Sequence, residues 1–322
     1  MNTTLLFARN VVQEFTARGR GGTKGGVVHA VSDVSFDIRA GETLGVVGET
    51  GSGKSTLARS VLQAPRPKSG QVFFRGEDLM KRRRRGLAEA RRHMQMVFQD
   101  PFGSLNPRWR VSEIVEEPLV GYGAPNRQQR VRDLLDLVGL NPDTFGRRRP
   151  HELSGGQCQR VAIARAIALD PALIVCDEAV SSLDVLIQAQ VLNLFERLRA
   201  ELGLSYLFIS HDLALVKQVS DRVAVMHLGQ LCEVGPAESL YRAPLHPYTV
   251  ALLSSIPKLD PRATRERVTI KGEPPSPVSP PSGCRFRTRC PRAADKCAAE
   301  APPMRELAPE HTVACHFPVT GE

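Results

Sequence analysis

The sequence predicts an α/β fold: a parallel-sheet core with an inserted helical subdomain and a small cysteine-containing C-terminal region. Three observations predict it. Short apolar runs at Thr43–Val47, Ala172–Cys176 and Ser205–Ile209 have the length and two-sided hydrophobicity of parallel strands buried on both faces. Helical patterns alternate with them, as where Ile187, Val191, Leu194, Phe195 and Leu198 recur on one helix face. The first run also leads straight into Gly48-Glu49-Thr50-Gly51-Ser52-Gly53-Lys54-Ser55, a complete G-x-x-x-x-G-K-[ST] phosphate loop.

The chain has 322 residues, room for one α/β core with a smaller appendage or for two modest domains. Hydrophobic residues make up 42% and charged residues 24%, the balance of an ordinary globular protein. No apolar run approaches the roughly 18 residues that span a bilayer. Met1 to Gln13 lacks a basic stretch followed by an apolar core, so no secretory leader is expected. The protein is therefore expected in the cytosol, acting at any membrane through partners. The net charge of +9 concentrates in Lys81-Arg82-Arg83-Arg84-Arg85, Arg91-Arg92 and Arg147-Arg148-Arg149. Such runs suit nucleic acid or a solvated face beside anionic headgroups, and the lack of interleaved aromatic stacking platforms favours the second. Seven cysteines in a cytosolic chain argue against a disulfide framework.

Taken in order, Val34–Ile38 alternates apolar and polar residues like a half-buried strand. Gly41 turns the chain into the apolar run that ends at the phosphate loop, and a helix is predicted from about Lys54. From Gln99 to about His151 the composition turns helical and amphipathic, the inserted subdomain. Strand, helix and strand resume at Ala172, with His211 just beyond the run Ser205–Ile209. Ligands are expected at the carboxyl ends of these strands. Pro274–Pro281 carries too many prolines for helix or central strand and reads as an extended connector.

The loop chemistry follows from residue type. Gly48, Gly51 and Gly53 let backbone N–H groups, with that of Ser52, surround phosphates. Lys54 is expected to reach the β- and γ-phosphates, Ser55 to ligate Mg²⁺ and Thr56 to contact the α-phosphate. Asp177, at the end of an apolar strand, fits the Walker B carboxylate that holds Mg²⁺ through water. Glu178, the next residue, is placed to polarise the attacking water. An acidic pair after a strand is by itself an ordinary surface feature.

Leu153-Ser154-Gly155-Gly156-Gln157 decides the larger reading. Together with the phosphate loop this stretch resembles the signature sequence of the ATP-binding-cassette (ABC) ATPases, a P-loop NTPase family with a RecA-like core and an antiparallel β subdomain. The resemblance implies that the helix predicted over Gln157–Leu169 presents Ser154, Gly155, Gly156 and Gln157 to the γ-phosphate of ATP bound by a second subunit. A helix N-terminus is an anion site in general. It further implies that Gln99, in Val97-Phe98-Gln99-Asp100-Pro101, senses Mg²⁺ and the γ-phosphate. Asp184, in Ser182-Leu183-Asp184, resembles the D-loop, and His211 the switch histidine. Adenine is expected on an upstream aromatic residue. Phe15 is the candidate, though core packing explains a phenylalanine there nearly as well. Two departures stand out: Cys158 replaces the usual Arg after the signature, and Ala179 the usual Pro after Glu178. Neither removes a phosphate or metal contact.

Later segments resemble ATPase subunits of dipeptide and oligopeptide importers, the second (F-type) dipeptide ATPase above all. They are Asp100-Pro101 with Ser104-Leu105-Asn106-Pro107, then His246-Pro247-Tyr248-Thr249, Leu252-Leu253 and Ile256-Pro257. The resemblance implies an ATPase that powers peptide import from the cytoplasmic face of the inner membrane. Its partners would be a paralogous second ATPase, two integral-membrane permeases and an extracytoplasmic binding protein, with cargo choice residing in the last three. It also implies a core at 1–98 and 152–235, a helical subdomain at 99–151 and an importer-type extension at 236–322. The alternative class is a nucleic-acid- or ribosome-associated ABC ATPase. Such proteins usually carry two cassettes or a long coiled-coil insertion.

Cys284, Cys290, Cys297 and Cys315 are separated by five, six and seventeen residues. Four thiolates so spaced can hold zinc or an iron–sulfur cluster, or the cysteines can simply pack a small subdomain. The spacing lacks the tight C-x-x-C of a zinc ribbon, and the resemblance implies a [4Fe-4S] cluster.

Overall fold

The computed structural model describes residues 3–18, 24–256, 270 and 272–319; Pro257 of the importer-like segment lies outside them. In chain order, strands β1 (Thr4–Arg18), β2 (Lys24–Arg39) and β3 (Thr43–Val47) precede helix α1 (Lys54–Val61), β4 (Ser69–Phe74) and β5 (Glu77–Asp78). Helix α2 (Arg84–Arg92) and strand β6 (Met94–Val97) come before helices α3 (Val111–Gly121), α4 (Arg127–Leu137) and α5 (Pro142–Phe145). Then α6 (Gly155–Ile167), β7 (Leu173–Asp177), α7 (Val185–Leu202), β8 (Ser205–Ile209) and α8 (Leu213–Val219) alternate. The order ends with β9 (Arg222–His227), β10 (Gln230–Pro236), α9 (Ala237–Arg242), α10 (Pro247–Ser254), α11 (Asp295–Ala299), β11 (Arg305–Ala308) and β12 (His311–Val313).

Two compact units result. One takes the described residues within Met1–Thr3, Arg39–Glu42 and Arg82–Ile209; the other takes those within Thr4–Ile38, Thr43–Lys81 and Ser210–Glu322.

In the first unit, β6, β7 and β8 run parallel with β7 in the middle. Every residue of β7 and β8 is buried, which is why these strands read as continuous apolar runs. Helix α7 starts where the Asp184 side chain accepts from the Ile187 N–H and stops at Gly203 in the left-handed region, φ 65°. Its predicted face holds: Val191, Leu194, Phe195 and Leu198 are buried, with Ile187 half-buried. The Phe195 ring meets Tyr206 and Phe208 of β8 edge-on. Helices α3 and α4 pack on α6. The predicted helical stretch begins later than expected, at Val111, because Asp100-Pro101 and Asn106-Pro107 hold the preceding residues in turns. Unexpectedly, part of the arginine run forms α2, a helix with no buried residue, consistent with arginine's good helix propensity.

In the second unit one sheet has the order β2-β1-β4-β5, with β1, β4 and β5 paired antiparallel. In β2, Val34, Phe36 and Ile38 are buried while Ser35 and Asp37 are not, the expected alternation. Strand β3 pairs in parallel with β9, and β9, β10, β12 and β11 continue antiparallel. The tail thus adds two strands beside β10. Fully buried Glu233 of β10 anchors that junction, accepting from the N–H groups of Leu245 and His246, both at 2.8 Å, and pairing with His311 Nε2 at 2.7 Å. The prolines of 274–281 lie outside helix and strand, as predicted, and the Pro277 carbonyl accepts from the His29 N–H at 2.9 Å.

Candidate nucleotide site

The second unit carries the phosphate loop between wholly buried β3 and the start of α1. Gly48, Gly51 and Gly53 all have positive φ, 153°, 80° and 103°. A Cβ on Gly48 would lie 2.1 Å from the Met226 carbonyl oxygen, and one on Gly53 2.1 Å from that of Ala30. Only glycine fits this cradle. Lys54 is buried at the first position of α1, with Nζ donating to the carbonyls of Gly48 (2.7 Å) and Glu49 (3.0 Å). Ser55 and Thr56 follow, half-buried in the same first turn. Among the described residues, the buried Ser52 hydroxyl meets no partner, as suits a loop that takes phosphate oxygens. His211 is exposed between β8 and α8, next to Asp212, whose side chain caps α8. Phe15 lies on β1, 42% exposed.

The first unit brings Gln99 and Glu178 together: Gln99 Nε2 donates to Glu178 Oε2 at 3.0 Å. Gln99 sits two residues beyond β6, and its carbonyl accepts from the Ser182 hydroxyl at 3.2 Å. Asp177 is buried as the last residue of β7. Glu178 turns the chain out of that strand with φ 51°, its N–H donating to the Ile209 carbonyl at 3.0 Å. Asp184 is exposed at the start of α7. The two carboxylates therefore have different settings, the first fixed at a strand end and the second on a strained turn held by an amide.

The signature occupies the N-terminus of α6, which starts two residues earlier than predicted. Ser154 Oγ accepts from the Gln157 N–H at 3.3 Å, and Gln157 Oε1 accepts from the Ser154 N–H at 3.0 Å, a complete capping box. A Cβ on Gly156 would meet Ile187 of α7 at 2.5 Å, so the glycine allows that close packing. Cys158 is fully buried, its thiol donating to the Pro150 carbonyl and pushed up to about 11 by burial, so this departure is inert packing. Ala179 is likewise buried.

The tail cysteines depart from expectation. Cys284 N–H donates to the Cys297 carbonyl at 2.8 Å, and Cys297 and Cys315 are buried. Among the described residues, however, no three His, Cys, Asp or Glu side chains gather to hold a metal ion. Burial raises the Cys284 and Cys290 thiols, and Cys315 to about 11, as it does for any thiol taken out of water with no metal bound. The four thiols nevertheless lie near enough to raise one another's pKa, so the tail gathers them in one region without the ligand arrangement expected for a [4Fe-4S] cluster.

Some neighbours of the loop were not legible in the sequence. The Glu49 carboxylate forms a two-point ion pair with Arg289, and its N–H donates to the Tyr248 hydroxyl. Glu49 occupies a variable position of the motif, and Arg289 one of several arginines in the tail, so no pattern singled them out.

Residues 31–181 match the ABC transporter family, and residues 232–297 match the oligopeptide/dipeptide transporter C-terminal region. The oligopeptide transport ATP-binding protein AppF of Bacillus subtilis is 50% identical over 98% of this chain and 97% of its own length. The chain belongs to this family of ABC ATP-binding proteins. Another relative of this ABC ATPase is the putative oligopeptide transport ATP-binding protein YkfD of Bacillus subtilis, 52% identical over 90% of each chain. Among solved structures, a dimeric post-hydrolysis state of the cassette MJ0796 bound to ADP and Pi is 27% identical. It has a TM-score of 0.63 over 72% of this ABC ATPase and 98% of that chain. CbiO1 from Clostridium perfringens, part of the transporter complex cbiONQ, gives 26% identity and a TM-score of 0.64 over 74% and 91%. No helix among the described residues is long and apolar enough to cross a membrane.

Proposed function

We propose that this chain is the ATP-hydrolysing subunit of an ABC importer for oligopeptides or dipeptides. One observation carries the reading: an ABC cassette and an oligopeptide/dipeptide-type C-terminal region follow one another in a single chain. ATP is the substrate, held by the glycine cradle and Lys54, with Thr56 on the α-phosphate and Phe15 against the adenine. The hard oxygen donors Ser55 and Asp177, with the Gln99 amide oxygen, suit Mg²⁺, which when bound neutralises charge on the β- and γ-phosphates. Water attacks the γ-phosphorus and gives its proton to Glu178. The bond from the γ-phosphorus to the bridging oxygen breaks, and ADP leaves with that electron pair. Gln99, in contact with Glu178, links this step to the helical insert, and His211 contacts the γ-phosphate. Ser154, Gly155, Gly156, Gln157 and Asp184 act on ATP held by a second subunit.

The second subunit is read as a paralogous ATPase, and the pair as docking on two permeases at the cytoplasmic face of the inner membrane, served by an extracytoplasmic binding protein. The names of the relatives, oligopeptide transport ATP-binding proteins, support its place in a transporter; the pairing with a paralogue and the membrane face rest on the family resemblance alone. The functional division is a core at 1–98 and 152–235, a helical subdomain at 99–151 that contains α3 to α5, and an extension from 236. The tail cysteines are assigned to packing; iron and acid-labile sulfide in anaerobically purified protein would reverse that assignment. Glu178→Gln tests the function: ATP turnover and peptide uptake by the reconstituted complex should fall together by about 10²–10⁴-fold. Undiminished turnover would refute the assigned chemistry.

A further inference from the structure

We propose that Arg289, in the cysteine-containing tail, is a positioning residue for the phosphate loop: it neutralises Glu49 and, with Tyr248, fixes that residue in the loop. The inference rests on the reading of the loop as the ATP site.

Glu49 is held at three points. Its carboxylate receives Arg289 Nη1 at 2.7 Å and Nη2 at 3.0 Å, the parallel two-bond fork that gives guanidinium pairs their directional strength. Its N–H donates to the Tyr248 hydroxyl at 2.9 Å, and its carbonyl accepts from Lys54 Nζ at 3.0 Å. Tyr248 is fully buried and Arg289 only 8% exposed, so both contacts come from fixed side chains. The tail therefore reaches the residue whose carbonyl accepts from the phosphate-loop lysine, Lys54.

Charge gives the contact a purpose. Glu49 places a carboxylate one residue into a loop whose ligand is a polyanion, and in a partly desolvated setting that repulsion is weakly screened. Arg289 cancels it. A buried ion pair is weak grounds for stability alone, since apolar replacements often serve as well. Neutralising an acidic group inside an anion site is a role that apolar residues cannot fill.

The test uses the full-length chain with MgATP, titrated by calorimetry and followed by ATPase kinetics. Arg289→Ala should raise the Kd and KM for MgATP about tenfold while kcat changes less than about twofold. Adding Glu49→Gln to Arg289→Ala should recover most of the lost affinity, because it removes the charge left unpaired; a purely structural loss would not be recovered. Arg289→Lys, which keeps the charge but loses the fork, should fall between and carries the test if Arg289→Ala does not fold. Wild-type affinity in a folded Arg289 variant, or loss that Glu49→Gln does not restore, overturns the proposal. Lys54→Ala separates the two readings. If the wild type binds MgATP and Lys54→Ala does not, the loop assignment stands whatever Arg289 does; if the wild type fails to bind, that assignment is the one at fault.

Discussion

Gly53 shows how strictly single positions are specified. With φ 103° and the Ala30 carbonyl 2.1 Å from any added Cβ, Gly53→Ala forces the loop to move. It should cost about 2–4 kcal/mol in denaturant unfolding and abolish MgATP binding. The histidines beside the loop give a second expectation. His227 is buried against Tyr248 and Phe286, and burial lowers it to about 4. His246 Nδ1 accepts from the Tyr248 N–H, and burial lowers it to about 3. Both stay neutral in the fold, whereas the unfolded chain protonates them near pH 6.5. Their stabilisation is thus complete above about pH 6.5 and is lost as pH falls towards 4 and then 3. The slope is about 1.4 kcal/mol per pH unit for each histidine. Melting curves from pH 7.5 to 5 should show Tm falling, and His227→Phe should flatten the fall. At this scale the sequence exposes residues that belong to a fixed spacing, such as Lys54. It hides Glu49, Arg289 and Glu233, whose roles depend on partners 240 or 78 positions away in the chain.

Helix α6 shows what local chemistry fixes at the level of the element. Its capping box satisfies N–H groups that a helix start otherwise leaves open, so Ser154→Ala should lower stability by about 1 kcal/mol, read as a shifted urea midpoint. The same box explains why the helix begins before Gln157: Gly155 and Gly156 are already inside it, although glycine is a poor helix former. Strand β8 falls where its apolar run places it, because two-sided burial writes itself into composition. Strand β11 was illegible for the opposite reason, having four exposed residues and no periodic signal. Its neighbour β12 depends on a contact instead. Glu233→Leu would leave two N–H groups and the His311 ring unpaired, and should cost about 3–5 kcal/mol by thermal unfolding.

For the molecule as a whole, the order of motifs was readable because each signal is short and local, while the tail's attachment was not, because it arises from pairing between distant segments. The proposed peripheral placement predicts that alkaline carbonate releases the protein from membranes and that mild detergent instead co-purifies it with permeases. Salt-sensitive retention of RNA without permeases would favour the alternative drawn from the +9 charge. The antiparallel ladder between β10 and β12 has a consequence for biosynthesis. Ribosomes deliver Pro236 well before His311, which at ordinary elongation rates leaves one rim of the nascent sheet bare for roughly 4–15 s. Exposed strand rims recruit stray chains, so the newborn polypeptide passes through a sticky interval that closes only when its own later residues arrive.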